Sequence, residues 1–296
     1  MKKFIKYIVL IFLVVIAVLF ILDICYTNVY LKTQPRNKTQ YILSLDEKTN
    51  LDYVFLGSSR VENFIMPSII KEETNKEAIN LGTQGANLDD VNIFLRLLID
   101  QQIKIERLFV QVDYIYNIES NSDIVRSQIL PYLRSNTIIN NYLKRTDSNY
   151  NKNYYIPFYR YATNDYRIGF REFFASLINK KSKIDFSDGF IPLYNSIQIK
   201  EKHKASLPKR ILESNGSLVE IDSLCTANNI NVTYFCAPYC SGLKPNGYLT
   251  KLEEKLSDFH DFSRVIKEDS LFENCGHVNK NGAKVFTTHF IRTLDL

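Results

Sequence analysis

Metal-binding patterns are the first thing missing from this chain. Its 296 residues include five cysteines and four histidines. Cys236 and Cys240 lie four apart, but no second Cys/His pair of suitable spacing accompanies them, so nothing here has zinc spacing. The reading calls for no metal and no cofactor. Long runs of one charge are missing too. The net charge of +5 is spread thinly, and the basic clusters (Lys180, Lys181, Lys183; Lys200, Lys202, Lys204; Lys209, Arg210) are interleaved with apolar or acidic residues. They read as solvated loops, which argues against a nucleic-acid partner. No internal repeat or low-complexity segment is evident. What the chain does have is 45% hydrophobic and 13% aromatic residues, enough to bury one large core or two smaller ones.

The N-terminus "MKKFIKYIVLIFLVVIAVLFILDICY" places three lysines before Tyr7 to Leu22, a run of sixteen uncharged residues, followed by Asp23 and then Ile24, Cys25 and Tyr26. With those flanks the segment approaches the roughly 20 residues that cross a bilayer. A cleaved signal peptide would have a shorter apolar region, of about 7–15 residues, and a small-x-small site, and no such site follows. Positive residues stay cytoplasmic. The expectation is a cytoplasmic tail over 1–6, a transmembrane signal anchor over 7–26, a juxtamembrane linker over 27–50, and a main domain that is periplasmic or extracellular. Cys25 belongs to the membrane segment. Cys225, Cys236, Cys240 and Cys275 are free thiols or contain a pair, for instance Cys240 with Cys275.

Beyond the linker the pattern is strand, turn, helix, repeated. "YVFL" is a short apolar run ending at Gly57, "AINLG" a second and "RLFVQVD" a third, each suited to a buried parallel strand. "MPSIIKEETN" reads as a helix with proline in its first turn. "NLDDVNIFLRLLIDQQ" reads as another, with Asn87 as its cap. From Asn117 to about Pro208 the alternation breaks, in a stretch rich in Tyr, Asn, Lys and Phe. It resumes with helix "GSLVEIDSLCTANNI", strand "NVTYFCAP", helix "YLTKLEEKLSDF", short strand "SRVI" and a final helix "NKNGAKVFTTHFIRTL". Five strands separated by helices predict a three-layer α/β/α domain over 51–296 with a parallel sheet, interrupted by a mainly helical insertion at about 117–208.

Ligands of open α/β sheets collect at the carboxyl ends of the strands. There this chain offers Gly57-Ser58-Ser59-Arg60, then Asn80, Gly82 and Gly85 in "NLGTQGAN", then Asp113, then Pro238 and Tyr239, and at the last end Asn274 and His277 in "NCGHVNKNGA". A serine hydroxyl needs a neighbouring base to attack at neutral pH, and a histidine at the same sheet edge would supply it. Glycines let backbone N–H groups approach a developing oxyanion. Taken singly, the serine pair is a turn or helix cap, the glycine block a loop, and the histidine a packing residue. Their order along one sheet edge is what suggests chemistry.

In these blocks the chain resembles the SGNH, or GDSL-type, esterase and acyltransferase superfamily, from about Asp52 to the C-terminus apart from the insertion. The likeness is closest to the membrane-anchored envelope branch, in which Gly-Ser-Ser-Arg often stands for Gly-Asp-Ser and an Asn-Leu-Gly block follows. The resemblance implies Ser59 as nucleophile, His277 as base, and oxyanion donors from the Ser59 N–H and from Gly82 or Gly85. Two positions depart from the pattern. Asn274 stands where the family has the aspartate that orients the histidine, with Glu273 adjacent as an alternative orienting acid. "VQVDYIYN" replaces the third block, leaving Asn117 as the nearest third oxyanion donor. The activity implied is serine-dependent esterase or O-acyltransferase chemistry, acetyl above all, on a cell-surface polysaccharide, with an acyl-transport membrane protein as a partner. Tyr154, Tyr155, Phe158, Tyr159 and Tyr161 of the insertion either stack on sugar rings or pack the insertion itself. The competing expectation is a non-catalytic, membrane-tethered component of a polysaccharide assembly or modification complex that keeps the fold and has lost the carboxylate.

Overall fold

The apolar runs between Asn50 and Asp261 form one parallel sheet in the computed structural model, which describes residues 1–196 and 206–296. Lys200, Lys202 and Lys204 of the second basic cluster lie outside the described residues. The strands are β1 (Asn50–Leu56), β2 (Ala78–Asn80), β3 (Lys104–Gln111), β4 (Asn231–Cys236) and β5 (Phe259–Asp261), in the order β2-β1-β3-β4-β5. Every neighbouring pair is parallel, with Phe55 opposite Asn80 on one side and Phe109 on the other. The order reverses between β1 and β3, and the crevice beyond their carboxyl ends is where such sheets bind ligands.

Burial on both faces explains the unbroken apolar character of these strands. On one face the helices Pro67–Thr74 and Lys280–Leu294 cover Phe55, Phe109 and Phe235, and Phe290 packs edge-on against all three. On the other lie Leu88–Asp100 and Gly216–Ala227, which pack on each other. The Asn87 cap forms a capping box with Asp90, whose carboxylate accepts the Asn87 N–H at 2.8 Å. One strand differs from the sequence reading. The fifth is Phe259–Asp261, not "SRVI"; Ile266 of that segment fills the core from a loop instead. Apolar residues entering a core from a loop and from a strand look alike in sequence.

The chain divides into two units, the sheet unit of 41–122 and 183–296 and a helical unit of 1–40 and 123–182. In the helical unit, the N-terminal helix Lys2–Lys32 is long and apolar enough to cross a membrane. Its side chains are largely exposed up to Leu22, whereas Asp23, Tyr26 and Tyr30 are buried. Residues 27–50 are therefore not a loose linker: the helix runs on to Lys32, and a second helix follows at Lys38–Ser44. A buried aspartate needs compensation. Asp23 obtains it from Arg160 at 2.7 Å, Arg134 at 3.0 Å and the Phe158 N–H at 2.8 Å. Of the insertion aromatics, Phe158 and Tyr161 pack against Tyr26, and Tyr155 stays exposed.

Candidate active site

β1 ends at Leu56, and the chain turns at once into the short helix Ser59–Glu62. A Cβ on Gly57 would lie 2.6 Å from Val61 and 2.8 Å from Gln111, at a φ of +154°, so glycine is required there. The two serines that follow part company. Ser58 is buried: its N–H and hydroxyl both donate to Gln111 Oε1, at 3.0 and 2.8 Å, and its oxygen accepts the Arg60 N–H as the helix cap. Ser59 is half-buried, and its hydroxyl lies 2.7 Å from His277 Nε2.

His277 reaches this place on a hairpin. The strands β6 (Phe272–Asn274) and β7 (His277–Val278) run antiparallel with Asn274 directly opposite His277, joined by Cys275 and Gly276. Directly paired residues of such a ladder have neighbouring side chains. The three-residue spacing thus becomes a contact of 3.0 Å between His277 Nδ1 and Asn274 Oδ1. Gly276 N–H donates to the same Oδ1, at 3.0 Å. That second donor sets which end of the amide faces the ring, so Nδ1 carries the proton and Nε2 presents its lone pair to Ser59. Glu273, the alternative orienting acid, does not take this position; Asn274 holds Nδ1.

Beneath the pair lies a group whose role is not evident from its sequence neighbours. Arg60 is 2% exposed and joins four segments. Its Nε donates to Asp113 Oδ2 at 2.7 Å, Nη2 to the carbonyls of Ala237 at 2.6 Å and Pro238 at 3.1 Å, and Nη1 to the carbonyl of Gly276 in the histidine turn. The guanidinium also stacks on Tyr239, 3.6 Å from the ring centre. Asp113 is further held by the Ile115 N–H and the Tyr239 hydroxyl. The disulfide Cys240–Cys275 ties the segment after β4 to the same turn, beside a backbone bond from Cys240 N–H to Cys275 O at 3.1 Å.

These surroundings set the charge of the base. Burial first, and the neighbouring Arg60 cation second, together lower the pKa of His277 from 6.5 to about 4. The imidazole is neutral across the physiological range and ready to accept a proton. Among the described residues, no carboxylate hydrogen-bonds to the imidazolium that would follow.

The remaining sequence candidates fall in different places. Gly82 belongs to the floor of the site, since a Cβ there would lie 2.3 Å from the Glu62 nitrogen. Its N–H already donates to Asn80 Oδ1 at 3.0 Å, while the Asn80 amide nitrogen holds the carbonyls of Val61 and Ile65. Gly85 is exposed in the turn closed by Ala86 N–H to Thr83 O. Asn117 is a correction: its amide nitrogen is spent on the carbonyl of Arg210 and its oxygen on the Leu212 N–H, so it braces a loop. Gln111 was not singled out from sequence, although it closes β3 beside the serine turn. Among the described residues, its buried Nε2 has no hydrogen-bond partner. The signal that could have found Gln111 is position, since it closes a central strand at its carboxyl end; Arg60 stands at such an end too, and what the sequence withholds is its partners. Compared with protein-family models and with curated proteins, the chain matches none.

Proposed function

We propose that this chain is an extracytoplasmic, membrane-tethered serine esterase or O-acyltransferase, acting on acylated cell-surface polysaccharide through an acyl-serine intermediate. The observation that carries the reading is the relay from Ser59 Oγ to His277 Nε2 at 2.7 Å and from His277 Nδ1 to Asn274 Oδ1 at 3.0 Å. This is the geometry of an activated nucleophile, with a base within hydrogen-bond reach and a third group orienting the base. The likeness of the Gly-Ser-Ser-Arg, Asn-Leu-Gly and His blocks to the SGNH superfamily supports it.

The chemistry follows from the atoms. Ser59 Oγ bonds to the ester carbonyl carbon as its proton passes to Nε2. The Ser59 N–H, at the start of its helix, is the oxyanion donor this reading retains, because the N–H of Gly82 is committed to Asn80. The leaving alkoxide takes the proton from His277 as its bond to the acyl carbon breaks. Water or a sugar hydroxyl then attacks the acyl-serine with His277 again as base. Asn274 supplies orientation and tautomer but no charge, so the imidazolium is less stabilised than beside a carboxylate. An enzyme of modest rate is the consequence.

Placement outside the cytoplasm rests on the three lysines before the apolar run. The disulfide Cys240–Cys275 supports it, because such bonds persist in oxidising compartments. Release of acetate from an O-acetylated polysaccharide or a chromogenic acetyl ester by the full chain in detergent, beside Ser59→Ala, tests the activity. The second reading, a non-catalytic assembly component, is favoured by the uncharged Asn274 and the cation beneath His277. It expects no acetate release from either protein.

A further inference from the structure

The helical unit carries an apolar surface that the chemistry at Ser59 does not use. On the helix Phe170–Leu177, residues Phe170, Phe174 and Leu177 stand at positions i, i+4 and i+7, on one face. They are 67%, 49% and 51% exposed, and Ile178 extends the patch. Polar residues are the usual occupants of an exposed helix face in water, and clustered apolar ones mark a contact.

The anchor helix indicates what the contact is. The sixteen uncharged residues Tyr7–Leu22 rise about 24 Å at 1.5 Å each. A bilayer's hydrocarbon layer is about 30 Å thick, with headgroup layers of roughly 5–7 Å on each side. A span this short draws the next turn, Asp23 to Tyr26, down to the hydrocarbon boundary. That turn is the one the helical unit grips. Phe173, on the same helix as the exposed face, stacks on Tyr26 with ring centres 4.0 Å apart. Phe158 N–H binds Asp23, and the residues just before it, Tyr155 and Ile156, are exposed as well. Two of the segments that hold the Asp23–Tyr26 turn, the Phe170–Leu177 helix and the stretch before Phe158, therefore present aromatic or aliphatic side chains at headgroup depth, where aromatic residues are enriched.

We infer that the face of Phe170, Phe174 and Leu177 is a membrane-interface surface, seated in the headgroup layer of the bilayer that the anchor helix crosses. The inference rests on the anchor helix spanning a membrane and is independent of any chemistry at Ser59. Its effect is to hold the helical unit flat against the lipid, so that the chain has two attachments to one membrane. Lipid covers the patch, just as interfacial helices bury their apolar faces about 5–10 Å into the boundary.

The chain contains no tryptophan, so Phe174→Trp and Phe170→Trp each introduce a single tryptophan, excited selectively at about 295 nm or above, where tyrosine no longer absorbs, at an exposed site where the larger ring disturbs no core. The full chain carrying either change is reconstituted into phosphatidylcholine vesicles, with and without bromine on the upper acyl carbons. The expected result is a blue-shifted emission that loses most of its intensity in the brominated vesicles and resists acrylamide. Emission at the wavelength of water-exposed tryptophan, quenched by acrylamide and indifferent to bromine, overturns the inference. Blue-shifted emission indifferent to bromine overturns it as well and assigns the face to a protein neighbour.

Discussion

Asn274 Oδ1 accepts two hydrogen bonds, from His277 Nδ1 and from the Gly276 N–H, each at 3.0 Å. The backbone donor holds the amide oxygen, not the nitrogen, against the imidazole. In a serine protease whose aspartate becomes asparagine the rate falls by about 10⁴, and there the tautomer is wrong. Here the correct tautomer is preserved, and only the charge is absent. Asn274→Asp restores that charge without changing shape, so it should raise kcat/KM for an acetyl ester at pH 7, by less than the ~10⁴ that includes a tautomer error. Asn274→Leu should lower it. Equal rates in all three proteins would remove Asn274 from the account.

The pH dependence follows from the base. His277 must be neutral to accept the Ser59 proton, and its pKa lies at about 4. Activity should hold level from pH 8 down to about pH 5 and fall only near pH 4. Asn274→Asp should move this acid limb upward. The stability linkage has a definite sign. The folded pKa is below the unfolded value of about 6.5, so the unfolded chain takes up the proton first and stability declines as pH falls from 6.5 through 4. His277→Gln should flatten that part of the stability curve, as read by urea midpoints in detergent.

Arg60 and Asp113 test how the site is braced. Both are buried, and their ion pair links the serine turn to the end of β3. Arg60→Met leaves Asp113 an uncompensated buried charge and should cost about 3–5 kcal/mol. Adding Asp113→Asn, which keeps an acceptor for the Ile115 N–H, should recover a large part of that loss. Additive losses in a double-mutant cycle would deny the coupling.

The disulfide should serve both stability and the site. Cys240 and Cys275 close a loop with a sequence separation of 35, for which the chain-entropy relation gives about 3–4 kcal/mol. Cys275 sits between Asn274 and Gly276, so its release should also loosen the hairpin that presents His277. Cys240→Ala with Cys275→Ala should lower the urea midpoint and slow ester hydrolysis more than unfolding alone explains at temperatures where the protein stays folded.

The sheet is legible in the sequence because a parallel strand buried on both faces is written as a continuous apolar run, as in "YVFL" and "RLFV". Ser59 and His277 are legible as candidates because each falls at the end of such a run or just ahead of the last helix. What brings them together is less so. The hairpin that makes Asn274 and His277 opposite neighbours has strands of three and two residues, too short for any periodicity to register. The Arg60–Asp113 pair joins residues 53 apart through a strand crossover, which no local pattern encodes. Likewise the polar stretch after Tyr26 reads as linker because the partners that bury Tyr30 and satisfy Asp23 lie more than a hundred residues away.

Covalent trapping decides whether Ser59 is a nucleophile activated by His277. The full chain in detergent is treated with a fluorophosphonate probe beside Ser59→Ala, Ser58→Ala and His277→Gln, and the adduct is located by peptide mass. The account expects an adduct on Ser59 in the wild type and in Ser58→Ala where that protein folds, none in Ser59→Ala, and strongly slowed labelling in His277→Gln. No adduct on a folded wild type, or labelling that survives Ser59→Ala, would contradict it.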